Sequence, residues 1–170
     1  MLSKHLQAAA GNVPAGGGGY ELYLWGDNNW GQVGNGQAGS ETNPKQVGSA
    51  TDWAGVSGGD GFTLAVKTGG TLWAWGSGSS GQLGDGTTVN KSSPVQIGAL
   101  SDWAQVAGGG TTGYAVKTNG TLWAWGLNTG GQLGDGTTVS NSSPVQIGAL
   151  SDWAQVAAGT STGYAECHWF

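Results

Sequence analysis

The chain contains three similar copies of a unit of about fifty residues, and no other feature limits its possible folds as strongly. The segment Thr71–Gly76 (TLWAWG) recurs fifty positions later at Thr121–Gly126 and, more loosely, at Glu21–Gly26. Each copy is followed by Gly-Gln-Leu-Gly or Gly-Gln-Val-Gly. A fixed period of this length with strand-like content is typical of propellers and other stacked β-arrays. Residues shared by all copies are therefore expected to build the repeat, and a residue found once is a candidate for another role.

The composition favours a β-rich globular chain and argues against nucleic acid as a partner. Glycine supplies 36 of the 170 residues, charged residues only 9%, and there are ten tryptophans. Such a chain is too aromatic to be disordered and too rich in glycine to be helical. The net charge is −5 and arginine is absent. Because phosphates and guanine are bound mainly by Arg and Lys, we expect no nucleic-acid binding.

The same reading gives no membrane anchor and no secretion signal. No apolar run approaches the roughly 20 residues that are needed to cross a bilayer. Residues 1–10 end in three alanines but lack the apolar region of a signal peptide. We expect residues 1–19 to form an N-terminal arm with a glycine-rich linker, in which only residues 2–10 could be helical.

Within a repeat, the pattern predicts four short strands. Tyr114–Lys117 and Thr121–Trp125 flank Asn119-Gly120, which predicts a hairpin with a two-residue type I′ turn. After the equivalent turn at Gly69-Gly70, Trp73 and Trp75 lie on one face of the strand and Leu72 and Ala74 on the other. Both faces are apolar, so we expect the strand to lie between neighbouring blades. A further strand is expected to begin at Pro94.

These features predict an all-β fold of propeller-type blades built from three repeats, at about 20–69, 70–119 and 120–170. Three blades are fewer than the roughly four to eight that close a propeller. The ring is therefore expected to be incomplete unless the chain oligomerises.

The motifs also carry a family resemblance. The repeat with Trp-Ala-Trp-Gly, Gly-Gln-Leu-Gly and a downstream Pro-Val resembles the regulator of chromosome condensation repeat, which builds seven-bladed propellers. The resemblance covers about residues 20–169. It departs from the family at Phe62, Thr112 and Thr162, where the family often has His. The guanine-nucleotide exchange known in the family uses a full propeller with charged loops, so we do not expect that activity here. The amino-acid sequence of these repeats resembles more closely the versions of the repeat in bacterial surface proteins and bacteriophage virion proteins.

Three sequence patterns suggest chemical sites, but each is better explained by structure. Gly76–Gly81 matches G-x-G-x-x-G, but no helix follows it, as a dinucleotide loop would require. Asp85 and Asp135 precede glycine in turns and supply too few oxygens for calcium. Cys167 and His168 occur only once, without enough further ligands for zinc. We therefore expect no catalytic residues, no metal site and no cofactor.

Trp30 is the one tryptophan that occupies a polar turn and has no aromatic counterpart in the other copies, where Ser80 and Gly130 stand. With Asn28 and Asn29 it is a candidate contact for a partner or ligand, since an aromatic beside amides can stack on a sugar or anchor a protein. The alternative is that Trp30 packs on the N-terminal segment.

The ends of the repeat region predict pairing between chains. The last copy lacks the strand that should follow its hairpin turn, and the chain begins with such a strand, without a hairpin partner of its own. Exposed edges of this kind tend to pair. The alternatives are an open stack held by other virion proteins and a C-terminally truncated fragment of a longer propeller. The residues expected to pair in trans are Leu22, Tyr23, Leu24 and Trp25 at one end and Gly163, Tyr164, Ala165 and Glu166 at the other.

The sequence therefore favours a non-enzymatic structural, assembly or display module. The expected partners are further copies of the chain or other virion or surface proteins. The repeat wording favours a bacteriophage virion (decoration, fibre or tail) or a cell surface as its location. The alternative is a recognition module that binds a glycan or a host protein, and a guanine-nucleotide exchange regulator ranks third.

Overall fold

The computed structural model describes residues 18–167, which contain twelve β-strands and no helix. The strands are β1 (Tyr23–Gly26), β2 (Glu41–Gln46), β3 (Trp53–Gly58), β4 (Phe62–Lys67), β5 (Leu72–Gly76), β6 (Lys91–Gln96), β7 (Trp103–Gly108), β8 (Thr112–Lys117), β9 (Leu122–Gly126), β10 (Asn141–Gln146), β11 (Trp153–Ala158) and β12 (Gly163–Cys167). The all-β prediction is confirmed for this part of the chain. The helix considered for residues 2–10 lies outside the described residues.

The strands form two complete antiparallel blades and two half-blades. The first blade has the order β3-β4-β5-β6 and the second β7-β8-β9-β10. The N-terminal half-blade is β1-β2, and the C-terminal half-blade is β11-β12. Each complete blade takes its first two strands from one sequence repeat and its last two from the next. Three repeats therefore give two complete blades and two half-blades.

The hairpin between β8 and β9 is present, but its turn is not the predicted type I′. A type I′ turn needs positive φ at both central residues, and among the described residues only glycines have positive φ. Gly120 has a φ of 76°, and its N–H donates to the carbonyl of Lys117 (2.9 Å). Thr121 closes the hairpin through its carbonyl, which accepts from Lys117 N–H (3.0 Å). The arrangement matches a turn followed by one left-handed glycine, so Asn119 needs no unusual backbone conformation.

The strand expected to begin at Pro94 begins at Lys91 instead. Pro94 lies in β6 where the ladder to β5 is irregular, between the pairs Ala74–Val95 and Gly76–Lys91. Because proline has no N–H to donate, it is accepted where the ladder is interrupted.

The core lies between blades, because the two faces of each central strand pack in opposite directions. In β5, Leu72 and Ala74 belong to a cluster shared with Trp103 and Trp125 of the second blade. Trp75, on the other face of β5, belongs to a cluster shared with the N-terminal half-blade. Trp75 and Trp125 are both 0% exposed. The predicted burial of Trp75 and Trp125 between blades is confirmed.

Trp125→Ala should therefore destabilise the fold by about 3–5 kcal/mol, as other buried aromatic truncations do. Trp30 is 45% exposed, and Trp30→Ala should cost much less. Denaturant midpoints of the two variants and the wild type would measure the difference. Equal losses in both variants would contradict the separation of core tryptophans from the unique one.

Candidate functional site

Each half-blade lacks the strands that the other contains. In the first blade, β5 pairs with β4 on one side and β6 on the other. Its equivalent β1 pairs only with β2, and β12, the equivalent of β4, pairs only with β11 within the described residues. The strand that we expected at the start of the repeat region is β1, which has one partner, β2, and one free edge among the described residues. The order β11-β12-β1-β2 would reproduce the order of a complete blade.

Aromatic side chains that are buried within the complete blades are exposed at these two edges. Trp25, in β1, is 53% exposed, although its counterparts Trp75 and Trp125 are fully buried. Tyr164, in β12, is 60% exposed, whereas its counterpart Tyr114 is buried. The half-blades therefore present apolar surface that the fold buries wherever a neighbouring blade is present.

A repeated hydrogen bond ties each central tryptophan to the preceding unit. Trp75 Nε1–H donates to the carbonyl of Gln32 (2.9 Å), and Trp125 Nε1–H donates to the carbonyl of Gln82 (2.9 Å). The third equivalent carbonyl, that of Gln132, accepts instead from the hydroxyl of Tyr114 (2.7 Å). Sequence reasoning missed these acceptors, because every residue has a backbone carbonyl and the residue type does not show which carbonyl accepts a hydrogen bond. The sequence signal for Tyr114 is that a tyrosine stands where the preceding repeat has Leu64.

A cleft of about 570 Å³ lies along the free edge of β1. Its walls include Leu24, Gln32, Val33 and Thr63, together with glycines from the β3–β4 and β7–β8 turns. The residues fifty positions after Leu24 and Val33 are Ala74 and Leu83, which share a buried cluster with Leu64. Within the described part of the chain, no residue equivalent to Leu64 lies opposite Leu24. Tyr164 is the residue at that position of the repeat.

The structure places the polar-turn candidates in different environments. Trp30 is exposed on one side, and its ring covers Gly61, where an added Cβ would lie 2.8 Å from Trp30 Cε3. Asn29 is exposed, and its side-chain amide donates to Asp27 Oδ1 (2.6 Å). The N-terminal segment considered as a packing partner for Trp30 lies outside the described residues.

Asn28 is buried, so it does not contribute to an exposed contact surface. Its Oδ1 accepts from Val33 N–H (2.9 Å), and its Nδ2 donates to the carbonyl of Gln37 (3.0 Å). Asn128 accepts from Leu133 N–H (2.9 Å) in the same way one hundred positions later. Asn28 thus stabilises the loop through hydrogen bonds to its backbone. The sequence does not reveal this role, because a polar residue in a turn can equally be exposed.

Two lysines and one turn carboxylate of the repeats are engaged in structural contacts. Lys117 Nζ lies 3.2 Å from Asp102 Oδ1 and within 5 Å of the ring centroids of Trp103 and Trp123. Lys67 makes the same contacts in the first blade. Hydrogen bonds from the backbone and hydroxyl of Thr137 hold the pKa of Asp135 below its ordinary value, as expected of a turn carboxylate.

Between residues 18 and 167, no group of three or more His, Cys, Asp or Glu side chains is placed to hold a metal ion. The same residues include no helix with the length and apolarity needed to span a membrane. Cys167 is a free thiol at the end of β12 and is half-buried.

The family model of the regulator of chromosome condensation (RCC1) repeat matches residues 21–66, 69–116 and 119–165. A second RCC1 repeat model matches residues 53–82. The chain belongs to the RCC1 repeat family. These matches, with the blades described above, agree with the resemblance drawn from the repeated motifs.

Similar folds occur in solved propeller structures. Human WBSCR16 superposes with a TM-score of 0.76 at 23% identity, covering 85% of this chain and 40% of that one. Prp20p from Saccharomyces cerevisiae gives 0.75 at 20% identity, covering 85% and 38%. A second structure of yeast RCC1 (Prp20), bound to Kap60, gives 0.76 at 20% identity, covering 85% and 37%. The chain thus spans about two fifths of each relative. No curated protein matches the sequence.

The placement of the amides can be tested by a matched pair of substitutions. Asn28→Ala leaves the buried Val33 N–H without an acceptor and should cost about 1–3 kcal/mol of unfolding free energy. Asn29→Ala removes an exposed amide and should change stability by less than about 0.5 kcal/mol. Denaturant titration compares the two. A larger loss for Asn29→Ala would show that the roles are reversed.

Proposed function

We propose that this chain is a non-enzymatic structural module that assembles through the free edges of its half-blades. The edge of β12 in one copy pairs with the edge of β1 in a second copy. The observation that carries the proposal is the complementarity of these edges, since the β11-β12 pair and the β1-β2 pair are the two halves of one blade.

The complete blades supply the register of this pairing. In the first blade, Leu64 is opposite Ala74, and in the second blade Tyr114 is opposite Ala124. The β8–β9 pairs are transferred by adding 50 to each β8 number and subtracting 100 from each β9 number. This register pairs Thr162 with Gly26, Gly163 with Trp25, Tyr164 with Leu24, Ala165 with Tyr23 and Glu166 with Leu22. These pairs contain all the residues that the sequence predicted to pair in trans.

The pairing buries exposed apolar surface from both copies. Tyr164 enters the cleft beside Leu24 of the other copy, and Trp25 of that copy reaches the C-terminal half-blade. Burial of such aromatic surface, together with the new ladder of backbone hydrogen bonds, stabilises the contact. The contact is head-to-tail, so it forms a closed ring when the rotation between copies allows. Two copies would contribute four complete blades and two composite blades, which is within the usual range for propellers.

The amino-acid sequence of the repeats favours a location on a bacteriophage virion or a cell surface, where the module would contact other particle or surface proteins. A structural role also agrees with the structural use of the charged residues in the blades. Guanine-nucleotide exchange ranks last, since the chain spans about two fifths of its propeller relatives and lacks arginine.

Recognition of a glycan or a host protein through Trp30 and Asn29 is the second candidate. It is favoured by the exposed indole of Trp30 beside a polar turn. It ranks lower because Asn28 is buried and one face of Trp30 is covered by Gly61.

Light scattering coupled to size-exclusion chromatography tests the assembly. At micromolar concentration, the wild-type chain should have at least twice the 17.0 kDa mass of one copy. Tyr164→Glu puts a charge into the cleft and should yield monomers, because an unpaired charge is costly to bury. Val139→Glu is the control, since Val139 is 66% exposed and lies outside both edges. A folded wild-type monomer, or equal behaviour of the two variants, would refute the proposal.

A further inference from the structure

The complete contact between the first and second blades shows how an indole is held. Trp125 donates its Nε1–H to the carbonyl of Gln82 (2.9 Å). Its ring also lies directly against the backbone of Gly113, where an added Cβ would be 2.4 Å from Trp125 Cε2. Trp125 therefore uses a carbonyl acceptor and a glycine without a side chain. Trp75 uses the equivalent carbonyl of Gln32 (2.9 Å), but Thr63 stands at the position of Gly113.

Both features recur one unit later, between the second blade and the C-terminal half-blade. Gln132 supplies the carbonyl at the position of Gln82, and Gly163 stands at the position of Gly113. We call Gln132, Gly163 and the space between them the indole site. The tryptophan at the corresponding position of the repeat is Trp25, which is 53% exposed on β1.

Tyr114 makes both of the contacts that a tryptophan would make there. Its hydroxyl donates to the Gln132 carbonyl (2.7 Å), and an added Cβ at Gly163 would lie 2.6 Å from Tyr114 Cε1. Its counterpart in the first blade, Leu64, packs in the same cluster as Trp125. A leucine at this position therefore leaves the carbonyl acceptor to an indole, whereas the hydroxyl of Tyr114 takes that acceptor in this structure.

We infer that the indole site binds Trp25 of a second copy and that Tyr114 occupies the site until that indole displaces it. The inference rests on the proposed assembly and names the side chains that control it. Trp25 of the incoming copy would donate its Nε1–H to the Gln132 carbonyl, as Trp125 does to Gln82.

The chemistry of the site selects an uncharged planar ring that carries a hydrogen-bond donor. A buried backbone carbonyl needs a donor, and a glycine surface accepts a flat ring in contact. Tyr114 satisfies both requirements as a neutral phenol, and burial raises the pKa of Tyr114. Displacement of one donor by another keeps the Gln132 carbonyl paired.

Occupation by Tyr114 has a direct consequence for affinity. The ring must leave the site before Trp25 binds, so the free energy that holds Tyr114 in place is subtracted from the free energy of association. Weakening the contacts of Tyr114 should therefore strengthen assembly, although the residue is buried and lies beside the interface.

Sedimentation equilibrium of the full chain and its variants tests this inference through the association constant. Trp25→Ala should weaken association by roughly 30-fold or more, as loss of a buried aromatic anchor does. Trp25→Phe keeps a ring but loses the donor, and its loss should be smaller but at least about fivefold. Val139→Ala is the control at an exposed apolar residue outside both edges, and it should associate like the wild type.

The variants of Tyr114 should change association in the opposite direction. Tyr114→Phe removes the hydrogen bond to Gln132 and should tighten association by about fivefold. Tyr114→Leu restores the residue type of position 64 and should also tighten it. Denaturant midpoints establish that each variant is folded.

The outcomes separate the two proposals. A wild-type chain that never associates refutes both the assembly and the indole site. Association that is unchanged by Trp25→Ala refutes the indole site alone. Weaker association in both Tyr114 variants would show that the tyrosine belongs to the assembled interface, and it would overturn the displacement.

Discussion

The hydrogen bond from a tryptophan indole to a carbonyl of the preceding unit is the contact on which this repeat depends. Trp75 and Trp125 each reach back forty-three positions to the carbonyl of a glutamine, Gln32 or Gln82. Both indoles are fully buried, so the bond forms where an unpaired N–H would be costly. Each bond fixes the distance and orientation of one unit relative to the one before it. The stack of blades is thus held by interactions that no single blade can satisfy.

This dependence explains why the ends of the array differ from its middle. A central strand such as β5 has one face toward each neighbouring unit, and both faces are apolar. Within residues 18–167, β1 and β12 have no such neighbour, and the same side-chain positions are exposed, as Trp25 and Tyr164 show. The edges are complementary because they are the two halves of one repeated blade. The proposed assembly would therefore use the same strand positions that pair within the complete blades.

Sequence reasoning predicted the strands and the buried tryptophans because both follow from local patterns. The period of fifty, the alternation in Leu72–Trp75 and the glycine at each turn are all visible in the chain. The offset between repeats and blades could also be predicted, because the hairpin from Tyr114 to Trp125 crosses a repeat boundary. The burial of Asn28 and the two contacts of Tyr114 were missed because both depend on backbone groups from other parts of the fold.

Cross-linking across the composite blade tests the central claim most directly. Tyr23→Cys combined with Ala165→Cys, in a chain that carries Cys167→Ser, places two thiols opposite each other in the transferred register. Oxidation should give covalent dimers or rings on a non-reducing gel, because directly opposed residues on an antiparallel pair lie close enough for a disulfide. The pair Tyr23→Cys and Tyr164→Cys is shifted by one residue onto opposite faces and should remain unlinked. Equal cross-linking of both pairs, or none in either, would contradict the composite blade.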